Sequence, residues 1–310
     1  MTSLNLAIAW NWEYDRDFVH DLERESSARR ISTYRIEDHN LAETVHLLRT
    51  GELAFDSFFD RASDADEEYL ALQPFVDRPG VRYFNPRRLV LHAADKATMH
   101  LELITHGVNV PNTIILSPAR VKKTLDLGRA DLERIGIPFV IKPANTTGGG
   151  TGVIMNASEP GQITGARLDH PDDKYLVQET IVPMLFDGRR AWFRAYYAFG
   201  KTILCWWDDQ THQYTTVAPG EEDRYDLGGL RPVMDIIRGA CRLDFFSSEI
   251  AITPERKFIV VDYVNEVCDM RRKSRHPNGA PDEVVSDIAR LLTGEAADHV
   301  AARGKTGTHD

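Results

Sequence analysis

The sequence holds 310 residues with 42% apolar and 27% charged side chains, a length and balance that fit two compact domains, or one large domain with sub-domains. Its net charge of −10 argues against nucleic acid or an anionic membrane as the main partner, although a local basic cleft is compatible with it. No apolar run reaches membrane-spanning length, the start (MTSLNLAIAWNWEYD) lacks a basic region, and three scattered cysteines without a CxxC pair point to reduced, mostly buried thiols in a cytoplasmic protein, not to structural zinc.

In chain order, LNLAIAWNW is an apolar run of strand length, followed by a polar helix in YDRDFVHDLERESSARR. ISTYRIE and ELAFDSFFD read as two more strands, with NLAETVHLLRTG between them as a helix closed by Gly51. That alternation predicts a small open α/β domain over residues 1–85. PRRLVLHAADKATMHLELITHGVNVPNTIIL reads as a helix pair that ends at Gly107 and enters a strand, so residues 86–135 carry a connection and the start of a central domain. From residue 136 strand follows strand: PFVIKPA, GVIM, KYLVQETIV, WFRAYYAFG, KTILCWW, SSEIAI and KFIVVDYV, with helices at GQITGARL and LRPVMDIIRGACRL. PDEVVSDIARLLTG closes this region as a capped helix, with Val284, Val285, Ile288, Leu291 and Leu292 on one face. The body therefore spans 136–295, and the tail over 296–310 reads as disordered.

The most informative stretch is FVIKPANTTGGGTGVIM, residues 139–155. As a strand, FVIK puts Val140 and Lys142 on one face and Phe139 and Ile141 on the other. A lysine ending an apolar strand is costly without a partner. The glycines that follow permit positive φ and let backbone N–H groups approach a ligand, with Thr146, Thr147 and Thr151 adding hydroxyls. A phosphate cover beside a neutralising lysine is one reading; a hairpin tip with a surface lysine is the other. A Walker loop is excluded because a strand follows the glycines, and GxGxxG fails at Val153. The isolated GKT at 304–306 has His299 where a first glycine should stand.

Further on, KYLVQETIV offers main-chain groups to a planar base, and Glu249, Asp262 and Asn265 lie on two strands joined by a turn at TPERK. Two carboxylates and an amide are hard oxygen donors, suited to Mg²⁺ that holds nucleotide phosphates. Asp262 lies in strongly apolar IVVDYV, where an unpaired carboxylate would be expensive. Arg194, in RAWFRAYYAFG, and Arg271 and Arg272, just after the carboxylate strand, are cations that suit a carboxylate or phosphoryl group. Arg61 lies beside several acids in FDRASDADEEYL and reads equally as a local ion pair or a substrate contact. Trp192, Trp206 and Trp207 read as core, and Cys268 as a packed thiol. No G-x-S-x-G elbow or HExxH occurs.

Four pieces in order, ADKATMHLELITHGVNVPNT, FVIKPANTTGGGTGV, YLVQET, and SSEIAI with FIVVDYVN, resemble the ATP-grasp superfamily, nearest its carboxylate–amine ligases such as glutathione synthetases, D-alanine–D-alanine ligases and the ribosomal-protein glutamate ligase. The resemblance covers residues 85–295. It implies an α+β fold in which a small N-terminal α/β pre-grasp domain precedes two α+β sub-domains that clamp a nucleotide. Lys96 and Lys142 would contact phosphates, and Thr147, Gly148, Gly149 and Gly150 would cover them. Gln178 and Glu179 would lie at the adenine hinge, with Asp187 as the ribose acid. Glu249, Asp262 and Asn265 would hold Mg²⁺, and Arg194, Arg271 and Arg272 would serve the reaction. The implied activity is ATP- and Mg²⁺-dependent joining of a carboxylate to an amine, of small-molecule or peptide origin, through an acyl phosphate, with release of ADP and phosphate. A kinase acting on a small-molecule hydroxyl and a non-catalytic nucleotide-binding module are the alternatives, and a homo-oligomer is left open. The family spaces its acid and asparagine two apart; here Asp262 and Asn265 are three apart, which requires a bulge or a different assignment. CDMRRKS also replaces the proline and glycine that commonly follow.

Overall fold

The computed structural model describes residues 2–146 and 150–306, leaving aside the side chains of 305 and 306. The first unit is built from β1 (Thr2–Trp10), α1 (Arg16–Ala28), β2 (Thr33–Ile36), α2 (Leu41–Thr50), β3 (Leu53–Arg61), α3 (Gln73–Val76) and β4 (Arg82–Phe84). Its parallel sheet runs β2-β1-β3-β4. The unbroken burial of Leu6 to Trp10 follows from cover on both faces of β1, as parallel sheets require. Gly51, at φ 75°, closes α2 in the left-handed conformation expected there.

The helix pair follows as α4 (Arg87–Ala94) and α5 (Lys96–Thr105). Beyond it lie β5 (Thr113–Leu116), α6 (Arg129–Ile135), β6 (Phe139–Pro143), β7 (Ile154–Ala157), α7 (Pro160–Asp169) and β8 (Tyr175–Glu179). These strands form an antiparallel sheet in the order β5-β8-β6-β7.

The last unit contains the short hairpin β9 (Leu185–Phe186) and β10 (Arg189–Arg190), then β11 (Trp192–Ala198), β12 (Lys201–Asp208), β13 (Gln213–Thr216), α8 (Glu221–Tyr225), α9 (Leu230–Cys241), β14 (Phe245–Ile252), β15 (Phe258–Asn265) and α10 (Asp282–Thr306). Its five-stranded antiparallel sheet runs β13-β12-β11-β14-β15. Trp192, Trp206 and Trp207 are buried in it, as the sequence suggests, and all three cysteines are buried free thiols. Burial pushes the Cys268 thiol up to about 12, well away from a nucleophile's range.

One expectation is corrected. The segment expected to be a disordered tail from residue 296 continues α10 through Thr306, because Ala296 is buried against the first unit and Arg303 pairs with Asp56 at 3.0 Å. The helix pair is present as expected, its two members separated at Asp95, which caps α5 by accepting from the N–H groups of Ala97 and Thr98.

The spacing between Asp262 and Asn265 has a structural answer. Ser247 faces Asn265 and Glu249 faces Asp262, so two steps along β14 meet three along β15. Between Glu249 and Ile250 one step on β14 meets two on β15, from Asp262 to Val260. β15 thus bulges on both sides of Asp262.

Candidate active site

Three elements bring positive charge to β15. Lys96 opens α5, and its N–H donates to the Ala144 carbonyl (3.1 Å), which ties the helix start to the end of β6. Its Nζ lies 3.9 Å from Asp262 Oδ1. Lys142 ends β6 with 7% exposure, while Phe139 and Ile141 pack on the opposite face. Its Nζ crosses to the other sheet, donates to the Val261 carbonyl (3.0 Å) and stands 5.2 Å from the Tyr263 ring centroid. Arg194, on β11 opposite Glu249, pairs with that carboxylate, donates to Ser247 Oγ (3.4 Å) and stacks 4.9 Å over Trp207.

These charges set the protonation of the cleft. Burial opposes ionisation of Asp262, yet Lys96, Lys142 and Arg194 outweigh it and hold the carboxyl below its ordinary value. Burial, reinforced by Lys96, depresses Lys142 to about 8 against the pull of Asp262 and Glu249. A lysine that titrates there must be protonated to neutralise phosphate. The kcat/KM for ATP, which follows the free protein, should therefore decline as pH rises through about 8, whereas kcat should stay flatter because bound phosphate keeps the ammonium charged. Parallel profiles for the two constants would remove Lys142 from the nucleotide site.

The oxygen donors fit a cation held largely by nucleotide phosphates. Asp262 and Glu249 are cross-strand partners, and among the described residues the Asn265 amide has no hydrogen-bond partner. Glu249 is engaged by Arg194 and by Trp192 Nε1 (3.1 Å), leaving Asp262 and Asn265 as the freer ligands. No group of three or more His, Cys, Asp or Glu with metal-binding geometry occurs among the described residues. Asp262, Glu249 and Asn265 match the donor set of Mg²⁺, which uses one or two carboxylates together with phosphate and water.

The glycine-rich turn lies between β6 and β7, which pair as an antiparallel hairpin. Asp173 anchors its entrance by accepting from the N–H groups of Asn145 and Thr146 at 2.9 and 3.1 Å. Gly150 has φ 81°, a conformation that favours glycine, while Thr147, Gly148 and Gly149 lie outside the described residues.

Other expected site residues are engaged elsewhere. Gln178 is buried; its Nε2 donates to Thr113 Oγ1 (2.9 Å) and Tyr263 Oη (2.6 Å). Tyr263 Oη also meets His100 Nδ1 at 2.6 Å, and burial beside Lys142 lowers His100 to about 4, so the ring is neutral at pH 7. The Glu179 carboxylate accepts from Asn112 N and Nδ2, both at 2.9 Å. Asp187 sits exposed in the β9–β10 turn, bound by Arg224 and Tyr225. Arg271 chelates Asp269 and lies 5.6 Å over Trp12. Arg272 ties Asp21 of α1 to Ser286 and the Asp282 carbonyl of α10. Arg61 is an ion pair: it meets Asp15 at 2.6 and 2.7 Å and donates to the Cys268 carbonyl at 3.0 Å.

Sequence reasoning missed Tyr263, His100 and Trp192, which support Lys142, Gln178 and Glu249 through side-chain contacts that no local pattern announces.

No protein-family model matches the sequence, and no curated protein matches it. Solved structures do. The ATP-grasp RimK-domain protein of Sphaerobacter thermophilus superposes with a TM-score of 0.63 at 17% identity, covering 95% of this chain and 98% of that one. D-alanine–D-alanine ligase of Bacillus anthracis, complexed with ATP, gives 0.63 at 13% identity over 97% and 99%. A macrocyclase of Microcystis aeruginosa, bound with its precursor peptide, gives 0.59 at 13% identity over 94% and 99%. Such coverage at this similarity establishes a shared architecture.

Proposed function

From the ATP-grasp fold that the chain has, we propose that it is an ATP- and Mg²⁺-dependent ligase that activates a carboxylate as an acyl phosphate and couples it to an amine, releasing ADP and phosphate. The observation that carries this reading is the convergence of Lys96, Lys142 and Arg194 on the paired carboxylates Glu249 and Asp262. Three cations around a two-carboxylate ledge suit a polyphosphate whose γ-phosphoryl group moves, because phosphoryl transfer depends on positioning and charge neutralisation.

In this reading Lys142 and Lys96 hold the ATP phosphates. Mg²⁺ at Asp262 and Asn265, with Glu249 beside them, would offset phosphate charge. Arg194 is placed to hold the carboxylate oxygen that attacks the γ-phosphorus. The amine then attacks the acyl carbon, phosphate departs, and the amine proton passes to solvent or a nearby base.

The deciding assay is ATP consumption with Mg²⁺ across paired acids and amines, separating ADP from AMP and free phosphate from phosphorylated product. ADP with free phosphate only when both partners are present supports the ligase. A stable phosphorylated product formed without amine makes the protein a kinase. Asp262→Asn is expected to remove the Mg²⁺ dependence of nucleotide binding; equal Mg²⁺ enhancement of ATP affinity in variant and parent would refute the metal assignment.

A further inference from the structure

A buried chain of side-chain hydrogen bonds joins Thr113 of β5, Gln178 of β8, Tyr263 of β15 and His100 of α5. It crosses from the four-stranded antiparallel sheet to the five-stranded one. Gln178, Tyr263 and His100 are 2%, 0% and 3% exposed, so water does not readily replace a lost partner.

The protons along this chain follow from one end. The Thr113 hydroxyl donates to the Pro111 carbonyl (2.7 Å), so Thr113 Oγ1 is left only to accept, and the atom that reaches it at 2.9 Å is the amide nitrogen of Gln178. The second amide hydrogen goes to Tyr263 Oη at 2.6 Å. The hydrogen of that hydroxyl then goes to His100 Nδ1 at 2.6 Å, which must be bare, so the ring is neutral and carries its proton on Nε2. The Tyr263 hydroxyl is thus held from two sides, by a donor and by an acceptor. The ring that it anchors is the one Lys142 approaches: Nζ stands 5.2 Å from the centroid while donating to the carbonyl of Val261, two residues earlier on β15. Attraction between an ammonium and a ring depends on the ammonium lying over the face, so a ring that does not slide or turn fixes the lysine.

We propose that Gln178, Tyr263 and His100 are positioning residues, their directed hydrogen-bond chain locking the Tyr263 ring as the seat of the Lys142 ammonium. The seat itself is independent of the ligase reading. Its consequence, that the chain governs how tightly a triphosphate is held, rests on the placement of ATP phosphate at Lys142 in that reading. Gln178, which the family resemblance puts at the adenine hinge, acts here through Tyr263. His100 acts through the same ring, unlike Lys96 one turn before it on α5.

The test uses the full chain and three single variants. Tyr263→Phe keeps the ring and removes the hydroxyl, His100→Leu removes the acceptor, and His100→Asn restores an acceptor in the place of Nδ1. In the nucleotide-free parent, ¹⁵N NMR should show His100 protonated at Nε2, a readout that needs no variant. The ring-current displacement of the Lys142 ε-methylene signal should shrink in Tyr263→Phe and His100→Leu and return in His100→Asn. Calorimetric titration with Mg²⁺ and a non-hydrolysable ATP analogue should show about tenfold weaker binding in the first two variants, the loss expected for one buried hydrogen bond, with most of it recovered in His100→Asn. Adenosine, which has no phosphate for Lys142 to hold, should bind the parent and all three variants alike. Adding Tyr263→Phe to Lys142→Met should weaken analogue binding no further. His100 protonated at Nδ1, a Lys142 signal unmoved by Tyr263→Phe, equal losses for adenosine and analogue, or a full further loss on the Lys142→Met background would overturn the proposal. A parent that binds no analogue while the NMR outcomes hold would instead count against the nucleotide reading and leave the seating of Lys142 standing. Normal analogue binding by a parent whose His100 is protonated at Nδ1 would do the reverse.

Discussion

Lys142→Met is expected to lower ATP turnover by about a hundred- to a thousandfold while leaving the protein at least as resistant to urea as the parent at pH 7. The first half follows from removing one of the cations on which phosphoryl transfer depends. The second follows from the direction of its shift. Lys142 titrates near 8 in the folded protein and at the ordinary lysine value when unfolded, so folding disfavours its charged form. That penalty is complete below about pH 8 and fades as pH climbs toward 10.5, where the unfolded chain also loses the proton. At pH 7 methionine, similar in length and uncharged, removes the penalty at the loss of one hydrogen bond to Val261. A variant that loses activity and stability together would instead make Lys142 a structural residue.

Arg61→Met carries the largest expected loss of stability. The Arg61–Asp15 pair is almost fully excluded from solvent, with side-chain exposures of 2% and 1%. Removing one partner strands the other charge, which costs about 3–5 kcal/mol. Adding Asp15→Asn to Arg61→Met should recover most of that loss, because a neutral amide replaces the stranded carboxylate. Denaturant unfolding of the two single variants and the double variant gives the coupling directly. Additive single losses would show that Arg61 works chiefly through the Cys268 carbonyl and the segment it holds.

How far the sequence carried depends on the range of the interaction concerned. The long strands and the helix pair were legible because each has its own periodic apolar pattern. So was the pairing of the two strands that carry Glu249 and Asp262, since they are apolar runs joined by the turn at TPERK. The bulges on either side of Asp262 were visible only as a requirement of spacing; which strand carried the extra residues needed the register itself. β4, β13 and the β9–β10 hairpin are too short to carry a pattern, and α6 and α8 were missed for the same reason. The tail was misread because Gly294 resembles a helix stop, whereas tertiary contacts of Ala296 and Arg303 carry the helix past it. Among site residues, Lys96, Lys142, Arg194, Glu249 and Asp262 converge. Arg271 and Arg272 differ because their partners, Asp269 two residues away and Asp21 on a distant helix, lie outside any motif.

The packing of α10 on the first unit also orders events during synthesis. Leu6, Ile8, Phe18, Val19 and Leu22 share one core with Val284, Val285, Ile288 and Leu292. A ribosome has therefore polymerised more than two hundred residues before the last wall of the earliest sheet exists. Until then one greasy side of that sheet faces water or a chaperone, and only the synthesis of α10 closes it.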